Sequence, residues 1–319
     1  MFKRISLVAL AGFALVSAAT AQTFPTKPIT VVVPFSAGTT TDVNAREFAQ
    51  VLSGIAKQNV IVDNKLGAEG ALGAQAVLNA PADGHTVMFT SNSLTVLDPL
   101  MKKNMPYDAV KDFASVCTFA RTSNVLNITG ASRYKTVADL VTAAKADPGK
   151  ITFGYASTVQ RLAGELFMQA AGIKLTGVPY RSSVQALTDV GGGQVDMIFI
   201  DHVSATPFYQ TGKVRALTLA GSQRLKALGD VPSASEAGVP GYQIQVWFGF
   251  YASAKTPPAV LAQLRDLMSQ ALKSQTAQTN MEKRDLIPLV LCGDAQTRLW
   301  NEDLGVMRQV VTRAGIQPE

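Results

Sequence analysis

The sequence predicts an α/β fold in two lobes, each a mostly parallel sheet flanked by helices. Short β-branched runs alternate with stretches of helical apolar spacing nearly from end to end, the pattern of strands joined by crossover helices. The 319 residues exceed what one hydrophobic core usually organises, and a hydrophobic fraction of 47% supplies material for two. No tandem repeat or low-complexity segment interrupts the alternation.

The opening MFKRISLVALAGFALVSAATAQ sets Lys3 and Arg4 before an uncharged apolar run ending in Ala19-Thr20-Ala21, the small-x-small pattern of a signal-peptidase site. Residues 1–21 are therefore expected to be a cleaved signal peptide, with the mature chain beginning at Gln22 in the periplasm. The apolar run is shorter than the roughly 20 residues that span a bilayer, and no cysteine near the cut invites a lipid. Residues 29–33 (ITVVV) then read as a buried strand, followed by a turn and a helix from about Asp42 to Leu52. Residues 60–62 and 86–90 are the next strands, with GAEGALGAQAVL opening a helix between them. A second block repeats the pattern: strands over 125–128, 151–155, 175–180 and 197–200, and helices over 137–146, 162–171 and 184–190. Residues 214–220 form a further strand leading into the Pro/Gly-punctuated link DVPSASEAGVPGY. A strand over 247–252, a helix from Pro257 to Leu272 with prolines at its first turn, and a helix over 295–314 close the chain.

The formal charge of +6 includes Lys3 and Arg4; without those two it is +4, spread with no block of Lys or Arg. That mild excess suits an anionic ligand and excludes a nucleic-acid footprint, which needs a clustered basic stripe. Cys117 and Cys292 are the only cysteines. A periplasmic address permits them to pair, and two small buried apolar side chains is the other reading. Two cysteines with His85 and His202 show no metal-ligand spacing, so neither metal nor cofactor is expected.

In open α/β sheets ligands sit beyond the carboxyl ends of strands, where helix N-termini present free N–H groups. Three strand-to-helix turns are rich in hydroxyls and small residues: Phe35, Ser36, Ala37, Gly38, Thr39, Thr40 and Thr41 after the first strand; Ala156, Ser157 and Thr158 after Tyr155; and Ser182 and Ser183 after Tyr180. Such turns can donate several hydrogen bonds to a carboxylate, although Ser and Thr are also ordinary N-caps. Phe35, Tyr155, Tyr180, Phe199 and Trp247 border them as wall or as core. Charged candidates are Arg161, Arg181, Asp201 and His202, while Asp42 reads as a helix-start residue that complements the dipole.

Several stretches together resemble a known family over nearly the whole mature length: FPTKPITVVVPFSAGTTTDVNAR, VIVDNKLGAEGALGAQAVLNAPADGHTVMF, RLAGELF, VPYRSSVQALTDVGGGQVD, VRALTLAGSQR, DVPSASEAGVPGY and WFGFYASAKTP. The chain is similar to the solute-binding proteins of tripartite tricarboxylate transporters, the Bug family. The resemblance implies a periplasmic binding protein of Venus flytrap form, with lobe 1 over 22–120 plus 248–319 and lobe 2 over 121–247. It implies capture of a small carboxylate through the first turn (Phe35 to Asp42), the turn before RLAGELF and the turn after VPY, and delivery to a membrane permease by a monomeric chain. Ligand-driven closure would flex hinge strands near residues 117–121 and 242–248. The chain departs from the family where Thr39 replaces a usual glycine, where the turn before RLAGELF is shortened, and where Arg161 stands in place of a common histidine. These departures could accommodate a second carboxylate. They lead to the expectation of a dicarboxylate such as terephthalate, with its second carboxylate near Ser157, Thr158, Arg161 or His202.

Catalysis is not expected. No GxSxG nucleophile turn is present, Asp201 beside His202 is no triad by itself, and GAEGALGA spaces its glycines three apart rather than as GxGxxG. A periplasmic sensor that presents its bound carboxylate to a signalling receptor would use the same binding chemistry and stays open as the alternative.

Overall fold

A computed structural model describes residues 24–318. The signal peptide expected over residues 1–21 lies outside the described residues. In chain order the first lobe begins with β1 (Ile29–Val33), α1 (Thr40–Ala56), β2 (Val60–Asn64), α2 (Ala71–Asn79) and β3 (Thr86–Ser91). A π-helical turn over Ser93–Leu97 leads into α3 (Asp98–Met101), α4 (Ala109–Asp112) and the long β4 (Phe113–Ser123). The second sheet is built from β5 (Val125–Thr129), α5 (Val137–Ala146), β6 (Thr152–Tyr155), α6 (Thr158–Ala171), β7 (Thr176–Pro179), α7 (Ser183–Gly191), β8 (Met197–Ile200), α8 (His202–Gln210) and β9 (Val214–Leu219). The chain returns along β10 (Gln245–Ser253) and ends with α9 (Pro258–Lys273), α10 (Gln275–Lys283), β11 (Ile287–Pro288) and α11 (Asp294–Arg313).

Strand order is β11-β4-β10-β3-β1-β2 in the first sheet and β7-β6-β8-β5-β9 in the second. Each sheet is mixed rather than mostly parallel. β1 runs parallel to β2 and β3, and β6 parallel to β7 and β8, whereas β10, β4, β11, β5 and β9 pair antiparallel to their neighbours. The cause is the double crossing between lobes. The chain leaves along β4 and comes back along β10, so outgoing and returning strands lie side by side in opposite directions. Only Asn124 separates β4 from β5, and its Oδ1 accepts from the Tyr242 hydroxyl at 2.9 Å, which holds the outgoing and returning segments together at the crossing.

β1 is an interior strand buried on both faces, as its unbroken β-branched run requires; the edge strand β2 beside it has no fully buried residue. Helix α1 starts at Thr40, two residues before Asp42, because Thr39 has extended backbone and its hydroxyl accepts from Asp42 N. Aromatic clusters anchor both cores. Phe89 stacks on Phe250 at 4.4 Å beside Phe48 and Phe119 in the first lobe, and Phe199 packs against Phe153, Phe167 and Tyr242 in the second. Cys117 and Cys292 form a disulfide between β4 and the segment entering α11. This bond encloses the entire second sheet within its loop.

Candidate ligand-binding site

The turn leaving β1 is held by residues from its own lobe. Gly38 takes φ +83°, a conformation that strains other residues, and its N–H donates to Asp42 Oδ2 at 3.0 Å. Asp42 Oδ1 accepts from Asn64 Nδ2 at 3.0 Å and meets Arg46 Nη2 at 2.9 Å. Burial, the largest influence, would raise the Asp42 pKa, but the bonds from Arg46, Gly38 and Asn64 and the Arg46 charge together hold it below the usual range. The Thr39 hydroxyl donates to Ser36 O at 2.8 Å. Helix α2 presses on the same turn from behind: a Cβ on Gly73 would lie 2.6 Å from the Pro34 side chain and 2.8 Å from its backbone.

Three turns of the second sheet face this one. Gln160 accepts from Ala156 N at 2.7 Å and donates to Ser183 Oγ at 2.9 Å, which ties the start of α6 to the start of α7. Ser182 caps α7 by accepting from Val184 N, and Asp201 caps α8 by accepting from Ser204 N at 3.1 Å.

Direct bonds join the two sets of turns. Thr40 N donates to Ser204 Oγ at 2.9 Å, and the Thr40 hydroxyl donates to the Asp201 carboxylate. The Ser182 hydroxyl donates to Ser36 Oγ at 2.8 Å, and Val159 N donates to Ser93 Oγ at 3.3 Å. The Thr158 hydroxyl faces both the Asp98 carboxylate and Glu69 Oε2. Asp98 is fully buried with Lys102 Nζ at 3.0 Å. Burial pushes its pKa up to about 6 against the pull of Lys102 and Thr158, and Glu69 adds to the rise.

Between the lobes these contacts leave an inner cavity of about 40 Å³. Its polar wall carries the hydroxyls of Thr39, Thr40, Ser91, Ser157, Ser183 and Ser204 with Asn124, Gln160 and Asp201; Phe35, Ile200, Val246 and Phe248 close the apolar side. The N-termini of α1, α6, α7 and α8 all border it, so the charge best accommodated there is negative although no cationic side chain lines the wall. Asp201 is the one acid in the wall, and its charge is satisfied by Thr40 and Ser204. The cavity holds roughly three waters or a head group of that size. Outside it, sharing Phe35 and Ser183, opens a groove of about 620 Å³ whose wall includes Leu66, Glu69, Pro179, Tyr180 and Arg181.

Of the residues singled out in the sequence, Phe35, Thr39, Thr40, Thr41, Ser157, Ser183 and Asp201 line the inner cavity, and Ser36, Ala156, Tyr180, Arg181 and Ser182 line the outer groove. Ala37 and Gly38 are exposed on the first turn outside both, and Asp42 lies beneath that turn. Tyr155 packs beside Phe153, Thr158 faces Asp98, and Arg161 sits half-buried on α6 away from both walls. His202 Nε2 lies 2.7 Å from Arg284 O; a carbonyl only accepts, so Nε2 carries the proton and Nδ1 is left buried without a partner among the described residues. Phe199 is core, and Trp247 donates to Asp303 Oδ2 at 2.7 Å. Sequence reasoning passed over Ser91, Asn124, Gln160 and Ser204, and read Phe248 as packing between the lobes. Ser91 ends β3 and Ser204 follows β8, so the carboxyl-end rule applied to every strand would have reached those two. Among the described residues no three His, Cys, Asp or Glu side chains converge as metal ligands do, and no helix is long and apolar enough to cross a membrane.

The sequence model described as tripartite tricarboxylate transporter family receptor matches residues 44–316. A UPF0065 protein of Bordetella bronchiseptica is 37% identical over 274 residues, covering 86% of this chain and 80% of the relative. Among solved structures, an R. palustris protein with adipate superposes with a TM-score of 0.88 at 30% identity, covering 93% of this chain and all of the other. MatC from Rhodopseudomonas palustris with bound malate gives a TM-score of 0.84 at 28% identity over 90% of this chain and all of that one.

Proposed function

The chain belongs to the receptor family of the tripartite tricarboxylate transporters, and on that premise we propose that it captures a small carboxylate in the periplasm by lobe closure and hands it to a membrane permease. The observation that carries this reading is the convergence of four helix N-termini on one cavity whose two sides are joined by direct bonds between lobes. An anionic head group placed there meets aligned N–H groups and hydroxyls from both lobes, and the full set of contacts is made only when the lobes are together, so binding favours closure. The solved relatives carry adipate and malate, two dicarboxylates, which supports a dicarboxylate here. The apolar side of the site, with Phe35 and Phe248 inside and Tyr180 outside, favours a carbon frame such as that of terephthalate over a hydroxylated one. Within this reading Phe35, Ser36, Thr39, Thr40, Ser157, Tyr180 and Asp201 form the site, and the chain works as a monomer with its permease.

Thermal unfolding of the mature chain, stripped of carried-over ligand by refolding, tests the proposal against tricarboxylates, aliphatic dicarboxylates, aromatic mono- and dicarboxylates, amino acids and nicotinate, with sugars and amines as controls. A ligand specific for the folded state raises the melting temperature as its concentration passes its Kd. A carboxylate shift is the expected result. Shifts from sugars or amines alone, or from nothing in the panel, would overturn the reading.

A further inference from the structure

The inner cavity is too small for an organic acid of two carboxylates and a ring, since about 40 Å³ accommodates one carboxylate's three heavy atoms and little more. The rest of any such ligand must extend into the groove of about 620 Å³, which meets the cavity at Phe35 and Ser183. Resting on the carboxylate reading above, we infer that this outer groove is a second subsite, in which Arg181 clamps a distal carboxylate while Phe35, Leu66, Pro179 and Tyr180 flank an apolar spacer. Arg181 is therefore the residue that selects dicarboxylates over monocarboxylates.

Two charged side chains stand in the groove wall, and their circumstances differ. Glu69 is engaged: Lys102 Nζ lies 3.2 Å from its carboxylate, and Thr158 faces it from the other lobe. Arg181 is exposed and makes no hydrogen bond or ion pair among the described residues. A guanidinium presents a planar fork that matches a carboxylate bidentately, so it supplies both charge and orientation at the distal end. The other cationic candidates do not serve this end of the site. Arg161 lines neither wall, and the His202 ring is held by Arg284 O. Because Arg181 comes from the second lobe and Leu66 from the first, a ligand spanning the groove also bridges the lobes at their mouth.

The test pairs acids of one carbon frame, terephthalate with benzoate and adipate with hexanoate, by calorimetric titration of the wild type, Arg181→Gln and Arg181→Lys. Exposure of Arg181 keeps its substitution from disturbing the fold, which equal melting temperatures without ligand would verify. The expected result is that Arg181→Gln weakens whichever dicarboxylate binds by about tenfold and leaves its monocarboxylate partner unchanged, with Arg181→Lys in between. Added salt should weaken the dicarboxylate more for the wild type than for Arg181→Gln. Equal effects on both members of a pair, or a dicarboxylate affinity that ignores the substitution, would overturn the inference while leaving the carboxylate reading intact. Failure of all four acids to bind the wild type would overturn the subsite, while the wider carboxylate panel decides the reading it rests on.

Discussion

Replacing Thr40 with valine removes one hydroxyl and almost no volume from the seam between the lobes. Thr40 is 2% exposed and its hydroxyl donates to the Asp201 carboxylate of the opposite lobe, while the neighbouring bond from Thr40 N to Ser204 Oγ survives the change. A hydrogen bond to a charged acceptor in a buried setting contributes roughly 1.5 to 3 kcal/mol, and its loss leaves Asp201 short of a donor only when the lobes are closed. The closed state should therefore lose a factor of roughly 10 to 150 against the open one. If the free protein is mainly open, this appears as a rise in Kd of that size; if it is mainly closed, it appears as expansion of the free protein with a smaller loss of affinity. Titration calorimetry and small-angle scattering with and without a bound carboxylate read the two cases together. Unchanged affinity together with unchanged dimensions in T40V would refute the claim that this bond holds the lobes together.

Two further outcomes follow from the structure. The disulfide closes a loop with a sequence separation of 175; loop-closure entropy sets a stabilisation of about 5 kcal/mol, and removal of native disulfides typically costs 2–5. The double variant C117S/C292S should melt well below the wild type yet bind ligand with the same affinity, because the bond lies within the first lobe; equal melting curves would refute this. Asp98 has a pKa raised from 3.8 to about 6. An acid whose folded pKa is raised favours folding most below its unfolded pKa, and that contribution fades as pH rises through about 6. The stability of the wild type relative to D98N should thus fall by about 2 to 3 kcal/mol between pH 4 and pH 7, measured by paired denaturant titrations. A difference constant across that range would show that Asp98 is not held in a charge-disfavouring site.

Much of the fold was legible because its signals are local. The β-branched run of β1 and the apolar spacing of α5, α6 and α9 lie within one or two turns of chain, and so do the prolines that start α9. Boundaries slipped where a side chain overrode a pattern, as when the Thr39 cap drew the start of α1 back to Thr40. α8 and α10 escaped notice because His202 to Gln210 carries an internal proline and Gln275 to Lys283 is largely polar. For the site, the hydroxyl-rich turns announced themselves, but the residues opposite them did not. Asn124 is a single crossing residue, and Asp98 follows an irregular π-helical turn with no motif to mark it.

The sequence by itself determined the alternation of strands and helices, the apolar material for two cores, the hydroxyl-rich turns and the family. Whether Cys117 and Cys292 pair, which strands run antiparallel, and which of two arginines lines the outer groove were decided by the tertiary structure. The physical reason is range. Helical spacing, capping and strand propensity act over a few residues, whereas the bond between Thr40 and Asp201 joins positions 161 apart. Its formation depends on how two lobes meet across strands β4 and β10, and Arg161 and Arg181 look alike until that meeting places one on a helix flank and the other in the groove.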